Sequence, residues 1–194
     1  MMAQLQQDKD KLDLAPRKFN MWLFVFTSFM FFAALTSGFI VYSGGSTAHG
    51  IKIILPQAFK YSTLVIIISS VTLYLAARAA KRLEFAQQRL FLWLTALLGI
   101  AFFVIQIYAW GVLVNMGVHF VNPNASQSFI YVFTGMHLLH IVAGLGLLFY
   151  AIAGSYKNIG QVKNLFRMEF ASIFWHFIDI IWIYLYVFLL LNQY

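Results

Sequence analysis

Charged residues are missing from two long stretches of the chain, Phe19 to Ile51 and Leu90 to Tyr156, and are sparse from Pro56 to Ala80 and from Phe170 to Asn192. About 20 consecutive apolar residues cross a bilayer. The first stretch is therefore one span, and the second, 67 residues long, is two. This pattern predicts five helices, at about 19–42, 57–82, 88–116, 128–153 and 168–192. The expected fold class is all-α, a polytopic membrane bundle of five transmembrane helices. It forms a single membrane domain over residues 1–194, with a polar N-terminal tail at 1–18.

The breaks have local causes. Gly44-Gly45-Ser46 ends the first helix, Asn122-Pro123-Asn124 separates the third from the fourth, and Gly154 with Gly160 frames the fourth connection. Connections this short make sequential helices antiparallel neighbours. The first apolar run is too long for a signal-peptide core and follows 18 mostly polar residues, so an uncleaved span is expected.

Composition then removes the soluble alternatives. The 194 residues are 62% hydrophobic, 19% aromatic and 10% charged, and a domain of this size cannot hide that much apolar surface from water. The absence of cysteine excludes disulfides, thiolate metal sites and a cysteine nucleophile. A net charge of +7 does not indicate nucleic acid, because the basic residues are spread over short segments between apolar runs. Their distribution reports orientation. Lys9, Lys11, Arg17, Lys18, Arg78, Lys81, Arg82, Arg89, Lys157, Lys163 and Arg167 fall on one side, against Lys52 and Lys60 on the other. A cytoplasmic N-terminus and an outer, periplasmic C-terminus follow from this asymmetry.

Few polar groups lie inside the spans. Asp179 is the deep carboxylate, roughly 14 Å into the last helix, where an ionisable group must face protein, water or a partner. Glu169, His176 and Asp179 share one side of that helix through spacings of seven and three. In the fourth helix His137 and His140 sit at i and i+3, with Thr134, Gly135 and Gly144 alongside, and the glycines permit close helix approach. On paper His137, His140, His176 and Asp179 make a donor set for a metal or haem. Interhelical hydrogen bonding accounts for Thr134, Ser172 and Glu169 without one. A proton relay through the same residues is a third reading. Asp179 is expected to fasten the last helix by hydrogen bonds, with His176 and the Trp182 indole N–H within reach. Lys163 and Arg167 have two readings that do not exclude each other, obeying the orientation rule and holding anionic lipid head groups.

These residues resemble subunit III of the haem-copper cytochrome c oxidases, in its short five-helix bacterial form. The resemblance rests on Glu169-Phe-Ala-Ser-Ile-Phe-Trp175-His176-Phe-Ile-Asp179-Ile-Ile-Trp182 and on Thr134-Gly-Met-His137-Leu-Leu-His140-Ile-Val-Ala-Gly144. Ser69-Ser70-Val-Thr72, Leu98-Gly99-Ile-Ala-Phe102 with Gln106, and Met30-Phe31-Phe32 support it. Two positions depart from it: Ser28 and Ala109 stand where the family usually carries glutamate.

The resemblance implies a subunit with no catalytic, cofactor-binding or metal-binding residues of its own, haem and copper belonging to partner subunits. Its expected partners are the catalytic subunit I, subunit II, further respiratory-complex subunits and phospholipids, in the plasma membrane of a bacterium. It would hold lipids and support proton uptake and sustained turnover by its neighbour. His137, His140, Lys163, Arg167, Glu169, His176 and Asp179 are the structural and lipid-cleft candidates. Three rivals stand beside this reading. They are a five-helix paralogue accompanying nitric oxide reductase, a membrane haem protein, and a transporter, the last disfavoured by the lack of an internal repeat.

Overall fold

The computed structural model describes residues 2–45, 54–121, 124–156 and 161–192, with side chains from residue 15 onward. Ser46, Asn122, Pro123 and Gly160, and the basic residues Lys52 and Lys157, lie outside the described residues, as do the side chains of Lys9 and Lys11. The chain forms α1 (Met2–Gly44), α2 (Ala58–Lys81), α3 (Phe85–Asn115), α4 (Ala125–Tyr156) and α5 (Gln161–Leu191). All five contain a stretch long and apolar enough to cross a membrane. The protein is a multi-pass membrane protein of the all-α class.

The largest departure from expectation is the first element. The polar segment expected as a tail is helical from Met2 and runs unbroken into the span. Its Ala, Gln, Leu, Lys and Met residues favour helix, and no glycine interrupts them. Pro16 removes one backbone bond but does not end the helix. α5 likewise starts seven residues before the expected 168, with Gln161 donating to the Ala80 carbonyl at 3.0 Å.

The two ends of α2 and α3 show how the chain turns without long loops. α3 stops at Gly117, whose φ of 82° allows the Val118 N–H to reach the Leu113 carbonyl at 3.0 Å. α2 stops in the same manner at Leu83, φ 64°, with the Glu84 N–H on the Ala79 carbonyl at 3.1 Å. A non-glycine residue here carries a steric cost of about 1–2 kcal/mol. The close α2–α3 hairpin holds it in place.

α2, α3, α4 and α5 pack around one another, with α5 against both α2 and α4, while α1 lies outside against α4 and α5. Helix ends meet in pairs, which fixes the alternation. The Lys18 ammonium at the start of the α1 span contacts Glu169, about two turns into α5, at 2.5 Å. Arg89, early in α3, donates through Nε and Nη2 to the Ser155 carbonyl at the end of α4, at 3.1 and 2.6 Å, and lies over the Tyr156 ring. This guanidinium satisfies a terminal carbonyl that the helix itself cannot bond. The described basic residues Arg17, Lys18, Arg78, Lys81, Arg82, Arg89, Lys163 and Arg167 consequently gather at one end of the bundle, with Lys60 at the other.

The core is built on aromatic rings and close backbones. Phe59 stacks on Trp182, and Phe102 meets the same indole edge-on at 4.9 Å between centroids. Trp175 is fully buried where α5 passes Gly99 of α3 and Gly144 of α4.

Candidate functional site

The side chains singled out in the sequence fall into separate places. His137 is fully buried toward α3 and α5, between the rings of Phe102 at 5.6 Å and Trp182 at 4.9 Å. His140 turns to α1, where its Nε2 lies 3.4 Å from Ser28 Oγ and its ring packs on Phe32. Its Nδ1 sits 2.8 Å from the Met136 carbonyl, which that nitrogen's N–H satisfies. His176 faces α2, with Nδ1 2.7 Å from Ser70 Oγ. The four-member donor set drawn on paper is thus distributed over three helix interfaces. Among the described residues no group of three or more His, Asp or Glu stands close enough to hold a metal ion.

Indole N–H groups make the seam between α5 and α2. Trp175 Nε1 donates to Ser69 Oγ at 3.1 Å, and Trp182 Nε1 donates to Thr63 Oγ1 at 3.0 Å. Thr72 continues the polar line to Thr95 of α3 at 2.8 Å. On α5's other flank, Tyr184 and Thr36 share a hydrogen bond of 2.8 Å across to α1. Trp110 donates to Thr134 at 2.9 Å, the interhelical role expected of that threonine.

Three expectations are corrected. The Trp182 indole is committed to Thr63, not to Asp179. Asp179 itself is buried, His176 Nδ1 lies 3.9 Å from its Oδ2, and among the described residues neither carboxylate oxygen has a partner in hydrogen-bonding geometry. Ser70 also stands beside this carboxyl, but its hydroxyl is 2.7 Å from His176. The well-formed hydrogen bonds of helix α5 to α2 come from its two tryptophans, and the Ser70 hydroxyl, which could serve Asp179, is engaged by His176. Ser172 Oγ also has no partner among the described residues, so the interhelical bond expected of it is not made there.

At the basic end, α1, α4 and α5 enclose a cleft of about 480 Å³. Its floor is apolar, with Phe24, Leu147, Phe170 and Phe174, and Arg17 and Arg167 stand at it. The Arg167 guanidinium lies 4.1 Å over the Tyr150 ring, which orients it. Lys163, exposed on the first turn of α5, does not line this cleft.

Sequence reasoning missed Arg17 as a cleft residue and the buried pair Gln88 and Asn164. Those two amides bond reciprocally at 3.4 and 3.3 Å between the starts of α3 and α5. Two uncharged amides near helix ends give no periodic signal. Only the converging ends of α3 and α5 bring them together.

The fold and its polar seams define a helical membrane subunit built for packing. The sequence model of the family described as "Cytochrome c oxidase subunit III" matches residues 15–193, which covers all five spans. A cytochrome c oxidase subunit 3 from Bacillus sp. (strain PS3) is 28% identical over 169 residues, covering 85% of this chain and 80% of the relative. A cytochrome bo(3) ubiquinol oxidase subunit 3 from Pseudomonas aeruginosa is 31% identical over 169 residues, covering 85% and 79%. A protein of the latter name from Buchnera aphidicola subsp. Acyrthosiphon pisum is 28% identical over 191 residues, covering 94% and 90%. The chain belongs to the cytochrome c oxidase subunit III family. It has the role of a subunit III within a haem-copper oxidase complex.

Proposed function

We propose that this chain is the accessory subunit III of a bacterial haem-copper terminal oxidase. It packs on the catalytic subunit I in a complex with subunit II. Haem and copper reside in those partners, where electrons from cytochrome c or quinol reduce oxygen to water while protons cross the membrane. The observation that carries this reading is the family match across every span. The supporting physical feature is that hydroxyl, indole and imidazole groups join neighbouring helices at Ser69, Ser70, Thr63, Thr72, Thr134 and Thr36. Gentle detergent extraction and native electrophoresis should show the chain migrating with a haem-copper catalytic subunit. Co-migration with a nitric oxide reductase instead, or a haem absorption band on the isolated chain lost on changing His137, would overturn the assignment.

The crowded basic end is the cytoplasmic one in this reading. A reporter fused after Tyr194 should be active only outside the plasma membrane.

The cleft between α1, α4 and α5 is the proposed lipid site, with Arg167 and Arg17 at the head-group level and Phe24 and Phe174 along an acyl chain. Replacing both arginines by Gln should reduce the anionic lipid retained after delipidation at least several-fold. Lys163→Gln should leave it unchanged, because that side chain stands outside the lining. Equal effects of the two changes would return the basic residues to orientation alone. In this account His140, Glu169 and His176 join helices, His137 packs as a ring in the core, and neither these nor the buried Asp179 transfers protons.

A further inference from the structure

α5 has one open side. α1 packs on α4 and α5, α2 packs on α3 and α5, and α1 and α2 do not meet among the described residues. A strip of α5 faces outward between them: exposed Glu169, Ile180, Ile183 and Val187 with half-buried His176, in the order 169, 176, 180, 183 and 187, spaced by seven, four, three and four residues. That spacing is one helix face.

The strip is apolar except at two points, and they differ in depth. Glu169, at the end of the bundle, pairs with Lys18, and both side chains remain about half exposed. His176 is fifteen residues from either end of α5, roughly 22 Å along the axis, well inside the hydrocarbon. Its side chain is 37% exposed. Ser70 occupies Nδ1, and Nε2 has no hydrogen-bond partner among the described residues. The other deep histidine and carboxylate side chains, Asp179, His137 and His140, are enclosed by the bundle. Lipid tails offer an imidazole nitrogen neither donor nor acceptor, so a polar group left open at this depth must meet protein or water.

We propose that this strip is the surface on which a transmembrane helix of the catalytic subunit seats, between α1 and α2, presenting a hydrogen-bonding side chain to His176 Nε2. The proposal rests on the oxidase reading and adds the face and the anchor. Ser70 holds the imidazole in place from within. The ring edge then serves as a single polar registration point in an otherwise apolar contact, a use of polar side chains suited to membranes, where apolar contact alone does not distinguish partner from lipid.

The test uses the intact complex in its native membrane. A photoreactive benzophenone amino acid at Ile180 or Ile183 should form a covalent product with the catalytic subunit on irradiation. The same group at Leu97 or Val104, exposed on α3, should form none. His176→Phe should lower retention of the subunit under detergent challenge about three- to thirty-fold, the range for one interhelical hydrogen bond, and His176→Gln should restore part of it. Ser70→Ala, which breaks only the internal contact, should leave most retention in place. Products from Ile180 with lipid or a second copy of this chain would overturn the docking face while the complex stands. So would coupling to the catalytic subunit from the α3 positions alone. A purified complex containing this chain but no haem-copper subunit would overturn the oxidase reading itself.

Discussion

Replacing Trp175 by Ala is expected to lower the unfolding free energy of the bundle by about 3 kcal/mol, near the lower end for tryptophan truncations. The ring is fully buried and touches three helices at once. Its Nε1 bonds Ser69 of α2, and its ring atoms crowd the bare α-carbons of Gly99 and Gly144, where an added Cβ would stand 2.6 and 3.0 Å from them. In lipid the transfer of the side chain away from water contributes little, because the alternative environment is also apolar. What remains is the lost dispersion of a close-packed cavity and an indole hydrogen bond. Gly99→Val should confirm the fit from the opposite side, costing about 1–3 kcal/mol by overpacking. Reversible unfolding in mixed micelles, followed by helicity, measures both. A loss below about 1 kcal/mol for Trp175→Ala would show that this ring is not the wedge that joins α2, α3 and α4 to α5.

That wedge also marks how far the sequence was legible. Gly144 announced a close approach, since a glycine within a membrane helix is a place for another helix to come near. The residue that comes near is a tryptophan from a helix about thirty residues further along, and no local pattern encodes that pairing. The spans were readable because hydrocarbon demands long uncharged runs, and the alternation followed from short connections. Gly117 ends α3 as glycines end helices, whereas Leu83 adopts the same left-handed turn with no signal in its side chain. The first helix extends to Met2 and not only to about residue 19 because the expected start followed the apolar run, which marks the span and not the end of the helix. Its Gln, Lys and Asp residues argue against burial only.

The histidines were harder still. His137, His140 and His176 are equivalent on paper, and each was a fair ligand candidate. Helix rotation decides among them, sending one ring toward Trp182, one toward Ser28 and one toward Ser70. Rotation depends on the whole set of helix contacts. The family match supplies the role but does not place these rings.

Asp179→Leu should leave the subunit as stable as before or raise its unfolding free energy by about 1–3 kcal/mol, the cost of a buried polar group without a hydrogen bond. The sequence suggested the opposite, since a deep carboxylate beside His176 and Trp182 looked like a fastening. In the structure Trp182 bonds Thr63, His176 is 3.9 Å away, the neighbouring Ser70 hydroxyl is taken by His176, and among the described residues neither carboxylate oxygen has a partner in hydrogen-bonding geometry. The fastening passes through Trp175 and Trp182, and the Ser70 hydroxyl beside the carboxyl is engaged by His176, so removing the carboxyl leaves these bonds between α5 and α2 in place. A leucine fills comparable space with apolar atoms and relieves the unmet hydrogen-bonding demand. Asp179→Asn keeps a polar group that cannot carry protons, and with it the oxidase complex should hold both its subunit III and its proton-to-electron ratio. Mixed-micelle unfolding of the subunit and pumping by reconstituted complex test the two variants together. Leucine destabilising by more than about 1 kcal/mol would restore a fastening role. Loss of pumping in the asparagine variant, with the subunit still bound, would make Asp179 a step in a proton path.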